Sequence, residues 1–339
     1  MADYDLHHHG DREVGEGLID LAVNVRLPEP PDWLRRELAG ALSALAAYPD
    51  TTAATEAVAA RHRRDAGEVL VTAGAAEAFT LLATAFRDRN AVVVHPQFTE
   101  PEAALRAAGN EPRRVLLPPG YLLDPDLVPG DAELGFVGNP TNPTSVLHRA
   151  ATLEKLCRPG RILVVDEAFL DAVPGEPESL AEKALPGLVV LRSLTKTWGI
   201  AGLRAGYLLA EPEIVARLKE VQPPWSVSTL AARAVVACCR PAALDEADKL
   251  AVQAERDRER LVAGLEALGV ELPSTPRAPF VLVRIPGAQA IRDRLRAAGY
   301  AVRRGDTFPG LDGDHLRVTV RDEATTTGFL RALARLLPA

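Results

Sequence analysis

Cysteine is scarce, with Cys157, Cys238 and Cys239 the only three in 339 residues. Two are adjacent within an Ala/Val-rich helical stretch, so they make no disulfide framework. Free thiols of this kind fit a reducing cytoplasm. Long apolar runs are also missing. None approaches the roughly eighteen residues that a membrane-spanning helix needs, and the amino terminus lacks the charged-then-apolar order of an export signal. Positive charge is in deficit. The net charge is −7 and no basic block occurs, which argues against a nucleic-acid partner. The arginines are interleaved with acids, as between Ala254 and Arg260, the pattern of a solvated helix face. Neither Gly-x-Gly-x-x-Gly nor a Walker-type loop is present, so a non-covalent nucleotide-binding protein has no motif to rest on. Repeats and low-complexity tracts are absent. His7-His8-His9 alone is a weak signal for a metal or a tag, and no metal is expected.

What is present is ordinary in bulk: 47% hydrophobic and 25% charged, as in globular proteins. The length allows one large core or two moderate ones. Between Val69 and Ala210 short β-branched runs alternate with helical patterns. Strands are predicted at Val69–Thr72, Ala91–His95, Arg113–Leu117, Leu134–Gly138, Arg161–Asp166, Leu188–Ser193 and Arg204–Ala210. Helices are predicted at Ala75–Phe86, Glu100–Ala108 and Ala150–Cys157. Strands that read as apolar runs are buried on both faces, which predicts an α/β unit with a mainly parallel seven-stranded sheet wrapped by helices. After Pro223-Pro224 a long helical region is expected from Leu230 to Leu268. A smaller α+β unit follows, with strands at Phe280–Ile285, Ala301–Arg304 and His315–Val320 and helices at Ala288–Ala298 and Ala324–Leu337. The expected units are residues 1–45, a segment packing with the small unit; 46–225, the large unit; and 226–339, the linking helix and small unit.

The chemistry gathers where ligands bind in such sheets, just past the carboxyl ends of the strands. Gly74, Asn142, Asp166 and Lys196 all fall there. The run Ser193-Leu-Thr-Lys196-Thr-Trp-Gly-Ile-Ala-Gly-Leu-Arg204-Ala-Gly-Tyr207 puts a lysine behind an apolar strand and an arginine eight positions later. That arrangement suits an amine that bonds to an aldehyde cofactor while a guanidinium grips the cofactor's phosphate. Pyridoxal phosphate needs such a lysine, an acid at its ring nitrogen, phosphate donors and a plate over the ring. An unperturbed lysine is neutral in only about one molecule in 2,500 at pH 7, so Lys196 needs burial or a cationic neighbour such as Arg204. Asp166 ends the apolar strand and faces the ring nitrogen. Gly74, Ala75 and Ala76 open a helix whose N–H groups face the phosphate, with Ser193 and Thr195 as hydroxyl donors. Phe98 is the candidate plate, and Asn142 the donor to the ring's 3′ oxygen.

Together these residues resemble a fold-type I pyridoxal-phosphate enzyme of the class I/II aminotransferase family. The matching segments are Tyr48-Pro-Asp50, Gly74-Ala-Ala-Glu77, Asn142-Pro-Thr, Asp166-Glu-Ala-Phe169, Ser193 through Tyr207, and Leu316-Arg317-Val-Thr-Val. Within the family the chain is similar to histidinol-phosphate aminotransferases and, more closely, to threonine-phosphate decarboxylases of cobalamin synthesis. The latter likeness rests on His8-His9-Gly10-Asp11, Leu21-Ala-Val-Asn24 and the run from Phe308 to Arg317. The resemblance implies that Arg317 binds the substrate carboxylate, with His9, Gly10 and Asn24 beside the substrate. It also implies that Tyr48 reaches the cofactor phosphate of a neighbouring subunit, hence a homodimer with shared sites. Arg26, Arg303 or Arg304 are candidates for a distal substrate phosphate.

Two departures stand out. Phe169 replaces a frequent tyrosine, which predicts a more readily protonated lysine–cofactor bond. Ser145 stands where glycine is usual after Asn-Pro-Thr, which predicts a local backbone adjustment without lost chemistry. The expected function is a pyridoxal-phosphate enzyme acting on a small, phosphorylated amino acid, tilted toward threonine-phosphate decarboxylation. An aminotransferase of the histidinol-phosphate type is the alternative. A non-catalytic cofactor-binding regulator is the rival from another class, although the segment before Tyr48 holds no basic recognition helix.

Overall fold

The computed structural model describes residues 4–337. Eleven strands follow in chain order: β1 (Ile19–Leu21), β2 (Val69–Thr72), β3 (Ala91–His95), β4 (Arg113–Leu116), β5 (Leu134–Gly138), β6 (Ile162–Asp166), β7 (Leu188–Ser193), β8 (Gly206–Leu209), β9 (Phe280–Arg284), β10 (Tyr300–Arg304) and β11 (His315–Thr319). Seven form one sheet in the order β2-β8-β7-β6-β5-β3-β4. Only β8 runs against its neighbours. The predicted seven-stranded, mainly parallel sheet is therefore the one observed.

The alternation of side chains along each strand feeds two cores. Val92, Val94, Leu163, Val165, Leu188 and Val190 pack on one face. Val93, Phe136, Ile162, Val164, Val189 and Leu191 pack on the other. Helix Gly74–Ala85 covers the second face through Ala78, Phe79, Leu81 and Leu82. A strand sandwiched this way has no polar side to display, which is why the sequence reads as uninterrupted Val, Ile and Leu.

The parallel strands β2, β3, β5, β6 and β7 end at one edge of the sheet. Antiparallel β8 begins at that same edge, with Gly206 paired to both Thr72 and Ser193. Arg204 does not start the strand, as predicted, but precedes it in a left-handed turn with φ +58°. This places Arg204 beside the carboxyl ends of its neighbours.

The second sheet has four strands in the order β1-β10-β11-β9. Its parallel edge is β1, which the sequence reading did not foresee. The predicted helical region from 230 to 268 is two helices, Thr229–Cys238 and Pro241–Ala267. Pro241 occupies the first turn of the second, where a missing N–H costs nothing, and it cannot continue the first. Among the described residues no helix is long and apolar enough to cross a membrane.

Candidate active site

A cavity of about 480 Å³ opens at the shared strand edge, between the large sheet and the four-stranded sheet. It falls in the size range of small-molecule sites. The buried strand β6 delivers Asp166 to its wall, and the loop after β7 delivers Lys196. Burial raises the Asp166 carboxyl to about 6, against the Ala168 amide and the Lys196 charge, which hold it down. The Ala168 N–H donates to Asp166 Oδ1 at 3.0 Å, so one carboxylate oxygen also closes a turn. Burial lowers Lys196 to about 8, helped by the Arg204 and Arg317 charges and opposed by Asp166. Relative to an ordinary lysine, that raises the neutral fraction at pH 7 by roughly 300-fold. A nucleophilic amine is thus built from burial and cationic neighbours.

The phosphate cradle is a matter of glycine. Gly74 has φ +78°, and a Cβ there would lie 2.6 Å from Arg204 Nη2. A Cβ on Gly206 would meet Gly74 Cα at 3.1 Å and the Arg192 carbonyl at 2.9 Å. Only bare backbone lets the guanidinium cross the start of helix Gly74–Ala85 so closely. The N-cap residue Ala73 brings no side chain to the start of that helix, the Glu77 carboxylate accepts from the Ala73 N–H at 2.5 Å, and the first-turn N–H groups with the dipole favour an anion. Ala75 and Ala76 line the cavity. Ser193 and Thr195 do too, their hydroxyls 2.8 Å apart.

From the four-stranded sheet, Arg317 reaches in on β11. It is 4% exposed, donates from Nη1 to Asn142 Oδ1 at 2.6 Å and from Nη2 to the Ala22 carbonyl, and leaves Nε without a partner. Among the described residues it has no carboxylate partner within 4.0 Å. Burial and the nearby Arg303 charge push it below its ordinary value, though a guanidinium remains a cation. A buried, unpaired cation is costly unless an anion arrives to meet it. Asn24 is similar: its Oδ1 accepts from Thr319 at 2.6 Å while its buried Nδ2 has no partner.

The rest of the wall comes from aromatic residues and the chain's first segment. Phe98 lies 5.5 Å from the His9 ring, and Phe169 packs edge-on against Phe280 at 4.9 Å. His9 Nε2 is 2.5 Å from Glu100 Oε1. Gly10 passes so close to the Ala22 carbonyl that a Cβ would sit 2.5 Å from it, with Arg317 Nη2 3.4 Å away. Among the described residues no three His, Cys, Asp or Glu groups converge as metal ligands.

The cavity thus gathers His9, Gly10, Asn24, Ala75, Ala76, Phe98, Asn142, Asp166, Phe169, Ser193, Thr195, Lys196, Arg204 and Arg317, with Gly74 directly behind Arg204. It excludes Tyr48, which is 76% exposed and stacks on Trp225 elsewhere. It also excludes the three arginines suggested for a distal phosphate. Arg26 donates to the Leu250 carbonyl, Arg303 to the His8 carbonyl and Thr307, and Arg304 pairs with Asp306. None of the three lines the cavity. Asp11, Val23, Val25, Ala168 and Ala201 are wall residues that sequence reasoning missed. The four apolar ones carry no chemical signal and arrive only through the path of the backbone, whereas Asp11 brings a carboxylate from the His8-His9-Gly10-Asp11 segment.

The family model for aminotransferase class I and II matches residues 16–333. The chain belongs to that family. It is accordingly an enzyme that uses pyridoxal phosphate, and the cradle, Lys196 and Asp166 are of the right kinds to hold it. A protein of Mycobacterium tuberculosis named histidinol-phosphate aminotransferase is 52% identical over 319 residues, covering 93% of this chain and 87% of its own. Threonine-phosphate decarboxylase of Salmonella typhimurium is 31% identical, covering 94% and 91%. The fold matches the histidinol-phosphate aminotransferase structure from Clostridium acetobutylicum with a TM-score of 0.86, at 23% identity over 93% of this chain and 98% of that one. The L-threonine-O-3-phosphate decarboxylase structure from Porphyromonas gingivalis matches at 0.82, with 25% identity over 93% and 98%. The tilt toward decarboxylation is therefore the less supported of the two expectations. The aminotransferase alternative has the stronger likeness, 52% against 31%.

Proposed function

We propose that this enzyme transfers an amino group to or from a small anionic substrate of the histidinol-phosphate type. The observation that carries the proposal is one cavity lined by the Lys196 amine, the Asp166 carboxylate and two guanidinium groups held by different partners, Arg204 against Gly74 and Arg317 against Asn142. Arg204 sits at the helix start, suited to the cofactor phosphate. Arg317 lines the same cavity from β11, with its buried Nε free of a partner. The 52% identity to mycobacterial relatives named for histidinol-phosphate amino transfer supports the choice of reaction.

When bound, pyridoxal phosphate supplies the aldehyde that carries the amino group and a ring that draws electrons from the reacting carbon. Asp166 would face the ring nitrogen of the bound cofactor and keep it protonated. Lys196 would take a proton at Nζ and return it, its lowered pKa suiting both directions near neutral pH. Arg317 and Asn24 orient the substrate through the anionic group beside its reacting carbon, whether a carboxylate or the phosphate of histidinol phosphate. Asn142, its oxygen held by Arg317, has its Nδ2 to offer the ring's 3′ oxygen. Phe98 and Phe169 supply apolar walls that limit water.

The proposal includes a homodimer. Leu45, Tyr48 and Trp225 are exposed apolar groups that line one surface depression at the boundary near residue 45, and a second copy covering them would bring Tyr48 toward the partner's cofactor phosphate. It also retains the division near residues 45 and 225, and a cytoplasmic location consistent with three unpaired cysteines. The deciding experiment offers histidinol phosphate and threonine phosphate separately to the holoenzyme. Nitrogen transfer from histidinol phosphate to 2-oxoglutarate is the expected result. Carbon dioxide release from threonine phosphate, without amino transfer, would replace it with the decarboxylase.

A further inference from the structure

The loop after β5 is held from the far side by a residue with no place in the chemistry above. Ser145 is fully buried and adopts φ +63°, a conformation that suits glycine and strains other residues. Its hydroxyl accepts from the Ala278 N–H at 2.8 Å and from the Arg277 N–H at 3.1 Å. The Arg277 N–H also donates to the Ser145 carbonyl at 2.8 Å. One residue earlier, the Thr144 carbonyl accepts from the Ser274 hydroxyl at 2.6 Å. These contacts join the loop of the large sheet to the segment that enters β9 of the small sheet.

Both sides of this joint carry site residues. Asn142 lies three positions before Ser145, in a loop tightened by Ser145 N–H to Thr141 carbonyl at 2.7 Å and by Thr141 N–H to Val146 carbonyl at 2.8 Å. Phe280 lies two positions after Ala278; the Arg317 guanidinium sits 5.5 Å from its ring centre, and Phe169 packs on its edge. Arg317 and Asn142 then meet at 2.6 Å across the two layers. A glycine at 145 would adopt the same φ without strain but would leave the Ala278 N–H with no hydroxyl to meet. The strained serine is explained if the hydroxyl does something that the relaxed backbone cannot.

We propose that Ser145 is a positioning residue: its hydroxyl clamps the Asn142 loop to the 274–278 segment and so sets the register in which Asn142 and Arg317 meet. The clamp acts on substrate alignment through Arg317 and on the cofactor ring's 3′ oxygen through Asn142, and leaves the phosphate cradle at Gly74 and Arg204 untouched. Its kinetic consequence rests on the assignment of Arg317 to the substrate's anionic group; its structural consequence does not.

The test compares wild type, Ser145→Gly and Ser274→Ala in the full chain. Glycine isolates loss of the hydroxyl, because it relieves the backbone and keeps the turn. Ser274→Ala loosens the same joint without touching residue 145, which keeps the test sound if one variant folds poorly. Amide hydrogen exchange of the apoprotein should rise about tenfold in the peptide spanning 277–283 in Ser145→Gly, and stay unchanged in the peptide spanning β6. In the holoenzyme, KM for the amino donor that wild type turns over should rise roughly three- to tenfold, by more than kcat falls. A lowered melting temperature with unaltered exchange at 277–283 and unaltered KM would overturn the clamp. If no amino donor is turned over by wild type, the proposed reaction fails while the exchange result still decides the clamp.

Discussion

Replacing Lys196 with methionine should make the apoprotein more stable, because the amine is held in its cavity at a cost. Its pKa falls from 10.5 to about 8 in the folded chain, chiefly by burial and then by Arg204 and Arg317. The unfolded chain therefore binds that proton more tightly than the folded one. Wild type is penalised at every pH below about 8, and the penalty fades as pH rises from 8 toward 10.5. A shift of this size corresponds to about 3 kcal/mol. Asp166 returns part of it, since the Lys196 charge eases the burial of that carboxylate. The net gain expected for Lys196→Met at pH 7 is about 2 kcal/mol. Urea unfolding of both apoproteins at pH 7 and pH 10 measures it. The difference should be largest at pH 7 and shrink toward pH 10. A variant no more stable than wild type at pH 7, or a gap that widens with pH, would refute the reasoning.

Gly74→Ala should weaken pyridoxal-phosphate binding by roughly 10- to 100-fold, the loss expected when a charge-assisted contact is displaced, because the new Cβ lies 2.6 Å from Arg204 Nη2. Its folded state should also lose about 1–2 kcal/mol from the left-handed backbone, and cofactor titration with thermal melting separates the two effects. Phe169→Tyr should make the visible absorbance of the holoenzyme titrate at lower pH, by about 0.4–1 unit, because the new hydroxyl favours the unprotonated lysine–cofactor bond. An unchanged spectral midpoint would mean that position 169, packed T-shaped against Phe280, gives a hydroxyl no access to the ring oxygen.

Much of the large sheet was legible because β-branched runs such as Ile162–Asp166 and Leu188–Ser193 have both faces buried. Their ends then located Asp166 and Lys196 with no further assumption. What escaped notice depends on distant partners. The strand β1 is three residues long, with one exposed and one half-buried, and exists because residues 300–302 offer it an edge. Arg204 reads as the start of a strand, yet Gly74, well over a hundred positions earlier, decides where its side chain goes. The three arginines proposed for a distal phosphate were chosen by charge alone, and their carbonyl and carboxylate partners lie in segments no local pattern connects. Ser145 was expected to shift the backbone. Instead it holds the glycine-like conformation, and its hydroxyl bonds to Arg277 and Ala278.

The central claim is a covalent bond from Lys196 to the cofactor, and borohydride reduction of the holoenzyme followed by peptide mass analysis tests it most directly. The reduced pyridoxyl group should appear on the peptide carrying Lys196 and be absent from Lys196→Met treated alike. A label on another lysine, or none on a protein saturated with pyridoxal phosphate, would contradict the account.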